Sequence, residues 1–101
     1  MRDIGSYYVE YGEMNPRTSN RIYTIELKGD CTVENFMTQW CDNNISEWGE
    51  FIVHYGRKKH HIKYDNGKYT LIGDMRDILN ENIMKATGYG SWGHSNFNLY
   101  I

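Results

Sequence analysis

Residues 51–71 read FIVHYGRKKHHIKYDNGKYTL, and the way this stretch pairs with itself decides the fold. Asn66-Gly67 is the strongest short hairpin signal in it, because both central residues of a type I′ turn need positive φ. That turn sets Tyr64 opposite Tyr69 and Ile62 opposite Leu71. With Arg57-Lys58 at the tip of the preceding hairpin, Phe51 faces Tyr64, Val53 faces Ile62 and Tyr55 faces His60. Both registers put the same side of the middle strand indoors, which predicts a three-stranded meander with one apolar face.

The flanks supply the remaining layers. Tyr7 to Tyr11 alternates as a first strand, Gly12 to Asn20 is a polar loop with the only proline, and Arg21 to Leu27 is a second strand. After Thr32, the expected N-cap, Val33, Phe36, Met37, Trp40 and Cys41 fall on one helical stripe that stops near Asn43-Asn44. A second helix is expected after an Asp74 cap, with Met75, Ile78, Leu79, Ile83 and Ala86 as its stripe and Gly88 as its stop. Phe97, Leu99 and Ile101 alternate with Asn96, Asn98 and Tyr100 as a last strand. The expected class is α+β: a mostly antiparallel sheet in the order ββαβββαβ, with two helices packed on one face. Residues 1–101 suit a single domain, since that length holds one core, and 15% aromatic residues supply its bulk.

No apolar run approaches the ~20 residues that cross a bilayer, and Met1-Arg2-Asp3-Ile4-Gly5 has no secretion-signal character, so a cytosolic protein without membrane contact is expected. Cys31 and Cys41 are then expected as reduced thiols. The net charge of −2 is unevenly spread: Arg57, Lys58, Lys59, Lys63 and Lys68 share their segment with a single acid, Asp65. A basic patch of this kind meets phosphates or an acidic protein surface.

Candidate chemistry is sparse. His60 and His61 are strand neighbours and point to opposite faces, whereas the expected register stands His54 opposite His61 on the outside. Two imidazoles fall short of the three or four ligands a zinc site needs, and Ile52, Lys63 and Thr70 beside them add none. A small hydrolase or metal enzyme would have to use His54, His61 and His94, but no acid-base pair accompanies them. Gly88 to Gly93 matches G-x-G-x-x-G, yet here the helix is expected before the motif and the strand after it, the reverse of a nucleotide fingerprint. It reads instead as a helix stop and connector. Cys31, near a helix start, has no local base to make it a nucleophile. No catalytic residue, cofactor or metal is therefore expected.

The Asn/Ile/Lys/Tyr-rich usage and the closing run from Tyr89-Gly-Ser-Trp-Gly93 to Phe97-Asn-Leu-Tyr-Ile101 resemble, across the whole chain, the small α+β proteins encoded by phages and mobile elements of AT-rich bacteria. That group includes anti-CRISPR-type inhibitors of host defence. The resemblance implies a non-enzymatic inhibitor acting in a host cytoplasm, and it carries over no functional residue. Many such inhibitors mimic nucleic acid with acidic surfaces, and the basic segment here departs from that pattern. Partner-binding residues are expected at Arg57, Lys58, Lys59, His61 and Lys63 on the basic hairpin, and at Trp48, Tyr89 and Trp92 in loops. A protein is the expected partner. The alternative is a small nucleic-acid-binding module, against which stands the expected lack of outward aromatics among the bases.

Overall fold

A computed structural model describes residues 2–3, 7–18, 20–43, 47–65, 68–71, 76–91 and 94–101. Within them lie strands β1 (Arg2–Asp3), β2 (Tyr8–Met14) and β3 (Asn20–Leu27), helix α1 (Val33–Asn43), strands β4 (Trp48–Tyr55), β5 (Lys58–Asp65) and β6 (Lys68–Leu71), a single helical turn α2 (Arg76–Leu79), and strands β7 (Lys85–Ser91) and β8 (His94–Tyr100). All eight strands form one sheet in the order β1-β2-β3-β7-β8-β4-β5-β6. Every neighbouring pair is antiparallel except β4 and β8, which run parallel. The described residues are thus mainly β, with one full helix. No helix among the described residues is long and apolar enough to cross a membrane.

α1 follows its stripe. The Asn35 N–H donates to Thr32 Oγ1 at 3.1 Å, so Thr32 caps the helix. Val33, Phe36, Met37, Trp40 and Cys41 are all buried against the inner face of the sheet. There Phe36 stacks on Tyr8 at 4.2 Å between ring centroids, and Trp40 meets Tyr64 at 4.7 Å and Phe97 at 5.1 Å. Aromatic pairs at these spacings each add a little beyond the area they bury.

The meander forms with one register corrected. The pairs flanking Asn66-Gly67, which itself lies outside the described residues, are Asp65–Lys68, Tyr64–Tyr69 and Ile62–Leu71, as expected. The first hairpin instead pairs Tyr55 with Lys58, His54 with Lys59, Val53 with His60 and Phe51 with Ile62. Gly56, at φ 61°, takes the first central position of a two-residue turn, a conformation an L side chain enters only at a cost of about 1–2 kcal/mol. The tip is therefore Gly56-Arg57 and not Arg57-Lys58. A slip of two residues leaves every side chain on its own face, so Phe51, Val53, Ile62 and Tyr64 are still buried and Lys63 is still outside.

The second helix is the larger correction. Among the described residues only one turn forms, at Arg76–Leu79, while Asp74 and Met75 lie outside them. The chain then turns back: Val33 donates to the Glu81 carbonyl at 3.1 Å and Ile83 to the Cys31 carbonyl at 2.8 Å, tying residues 81–83 to the start of α1. Beyond them Ala86 and Gly88 sit in β7, between β3 and β8. Their inward positions are narrow because Tyr23 and Phe97 pass beside them. A β-carbon at Gly88 would lie 2.7 Å from the Phe97 ring, and one at Gly90 2.7 Å from the Tyr23 hydroxyl. The Gly-Tyr-Gly run is hence a strand thinned for neighbouring rings, neither a helix stop nor a phosphate loop.

Candidate interaction face

With α1 on one side, the other side of the sheet carries no layer of its own among the described residues. Strand alternation decides what stands there. The cross-strand pairs place Tyr11 and Glu13 of β2, Ile22 and Glu26 of β3, Lys85 and Tyr89 of β7, Asn96, Asn98 and Tyr100 of β8, Trp48, Glu50 and His54 of β4, and Lys59, His61 and Lys63 of β5 on this outer face. Ile22 is 65% exposed, Trp48 54% and Tyr89 44%, a density of large apolar groups unusual for water-facing strands.

Rings on this face are ordered by one another. Trp48 and His94 stack at 4.2 Å, and His54 and Tyr100 stack at 4.4 Å with planes 8° apart. The His54 Nε2–H donates to Asn98 Oδ1 at 2.8 Å, and Lys85 Nζ lies 5.8 Å from the Tyr100 ring centre. Lys63 and Glu50 approach to 4.0 Å, a loose exposed pair worth little to stability. Beside Trp48 and His94, between Glu50, Asp65 and Lys68, opens a cavity of about 700 Å³.

The expected binding residues are only partly brought together. Lys59, His61 and Lys63 share the outer face with Trp48 and Tyr89. Arg57 is in the turn, and Lys58 belongs by alternation to the helix side, so the basic cluster is divided between two faces. Trp92 lies outside the described residues. Trp48 and Tyr89 are in strands and not in loops. The expected lack of outward aromatics among the bases is overturned: Tyr100 pairs with Lys85, and Trp48 stands one row from Lys63 on the neighbouring strand. Tyr100, Asn98 and Ile22 were missed as members of the face, although the alternation of Asn96, Asn98 and Tyr100 with the core residues was a signal for two of them.

The histidines do not converge. His54 opposes Lys59, and His61 opposes Ile52. His94 stands beside Trp48 at one end of the β4–β8 pair, six residues along from Tyr100, which partners His54. Among the described residues, no group of three or more His, Cys, Asp or Glu side chains is arranged to hold a metal ion.

Both cysteines are free and buried. Burial pushes the thiols of Cys31 and Cys41 up from 9.0 to about 11, with Asp42 adding to the rise at Cys41. The folded chain keeps both protons at pH values where the unfolded chain has lost them. This contribution to stability is therefore complete below pH 9 and falls away between pH 9 and about 11. Denaturant midpoints measured across that window should drop relative to neutral pH, and a flat series would contradict the burial of these thiols.

Sequence searches against family models and curated proteins, and a search of the solved structures, find no match to this chain.

Proposed function

We propose that the chain is a non-enzymatic binding protein whose working surface is the outer face of the sheet, and that this face engages a protein. The observation that carries the reading is the exposed Ile22–Tyr89 cross-strand pair together with exposed Trp48, which stands two strands away in the next row, with Tyr100 and charges of both signs on the same face. Aromatic residues held on a rigid scaffold and ringed by polar groups are the typical anchors of protein interfaces. The compositional likeness to phage-encoded inhibitors favours a blocking role, in which the chain covers a surface of a host protein.

Replacing both Trp48 and Tyr89 with serine should cost less than about 1 kcal/mol of stability, since both are well exposed. The same variant should recover at least about tenfold less partner from a host extract than the parent. Equal recovery would sink this reading.

A second reading, single-stranded nucleic acid, gains from Trp48 and Tyr100 standing among Lys59, Lys63 and Lys85, the combination of ring and charge such ligands use. Glu13, Glu26, Glu50 and Asp65 on the same face weigh against it. Titration with short single-stranded DNA and RNA at two salt concentrations separates the two: steeply salt-dependent binding favours nucleic acid, and none at low salt removes it.

A further inference from the structure

The geometry points to a second copy of this chain as the occupant of the outer face, stacked sheet on sheet about a two-fold axis close to the strand direction. The inference rests on the outer face being the working surface: the free chain pairs there with its own copy, and a host protein takes the face by displacing that copy. Its charges are arranged in stripes. Outward residues of β2 and β3 include two acids, Glu13 and Glu26, and no base. Outward residues of β5 and β6 include Lys59, Lys63 and Lys68 against one acid, Asp65. Between the stripes, Lys85 and Glu50 cancel.

From β2 to β6 the central strand is β8, and its outward residues, His94, Asn96, Asn98 and Tyr100, carry no carboxylate, lysine or arginine. A two-fold axis along β8 brings the acidic stripe of each copy over the basic stripe of the other, twice. An axis across the strands would instead set acid on acid and base on base. A face-to-face dimer must choose between these directions, and the charges select the first. With the β3–β7 register extended two residues past its last pair, Thr24–Thr87, Glu26 and Lys59 fall on matching rows, two strands either side of the axis. Asn96 meets its own copy, and a carboxamide, being both donor and acceptor, is complementary to itself.

The area suffices. Six gaps of about 4.8 Å between β2 and β6 and strands about 20 Å long make a face of roughly 600 Å². Two such faces bury about 1,200 Å², the lower edge of specific interfaces, and twisted sheets stack readily at about −30°. Arg57 and Lys58, at the hairpin end, remain outside the stacked area and free to meet another protein.

Sedimentation equilibrium of the full chain tests this. The parent should show twice the 12.0 kDa monomer mass. One variant, Glu13→Lys with Glu26→Lys, makes both stripes basic, and another, Lys59→Glu with Lys68→Glu, makes both acidic. Each alone should raise the dimer dissociation constant at least about tenfold, and an equimolar mixture should restore a parent-like dimer. As a second measure, Asn96→Cys on the axis should be joined to its copy by a short bismaleimide, while Glu34→Cys on the exposed side of α1 should not. A parent that stays at 12.0 kDa at its highest soluble concentration overturns self-pairing and leaves the face to a different protein. A dimer indifferent to the reversals, a mixture that fails to recover, or equal cross-linking at both cysteines overturns the stacked arrangement.

Discussion

Phe97→Ala should lose about 3–5 kcal/mol of folding stability, the usual cost of emptying a buried phenylalanine site. Phe97 is fully buried on β8, between rings contributed by α1, β3 and β4. It stacks on Phe51 at 5.4 Å and on Tyr23 at 5.7 Å, and meets Phe36 and Trp40 edge-on at 5.3 and 5.1 Å. Its removal loosens α1, β3 and β4 together, so little relaxation can refill the space. Against a total stability of about 5–15 kcal/mol, the variant would be marginal or unfolded at room temperature. Urea unfolding monitored by tryptophan fluorescence gives the difference, and a loss below about 1 kcal/mol would mean that Phe97 is not central to the core.

Gly49→Ala should be nearly as damaging, for a backbone reason. A β-carbon at Gly49 would run into the Ser95 carbonyl of β8, within the one parallel pair of the sheet. Neither strand can move aside cheaply, because β8 is also paired with β7 and β4 with β5. Overpacking typically costs 1–3 kcal/mol, and here the obstacle is main chain, so at least about 3 kcal/mol is expected. Gly12→Ala is the control, since the added atom would meet only the Tyr23 ring at 3.5 Å, an ordinary contact. Comparable losses in the two variants would place the β4–β8 contact elsewhere.

These two positions also mark how far sequence reasoning reaches. The large residues of α1, β4, β5 and β8 announce their faces by periodicity, because each buries a side chain of its own. The register error at Gly56 was small for the same reason: a slip of two residues keeps the apolar set inside, so apolar matching could not tell the two hairpins apart, and only the φ preference of glycine could. β7 is the opposite case. Its inward residues are Ala86, Gly88 and Gly90, and the space they leave belongs to Tyr23 and Phe97 of the neighbouring strands. A strand whose inner face is filled by its neighbours shows no apolar alternation, and Ile78, Ile83 and Ala86 then mimic a helical stripe.

The outer face divides along the same line. Alternation within β5 and β8 already sorted Lys63, His61, Asn96 and Asn98 to the outside, because that choice is made within a single strand. Which of them become neighbours was decided by the crossover that lays β8 parallel to β4 and antiparallel to β7. That contact joins residues far apart in the chain, and no local pattern encodes it. Periodicity is a property of one element and its own face, whereas strand order follows from which faces fit together in the packed core. The meander, the capped helix and the sidedness of each long strand were therefore written locally, and the aromatic and charged stripes exist only once the sheet is assembled.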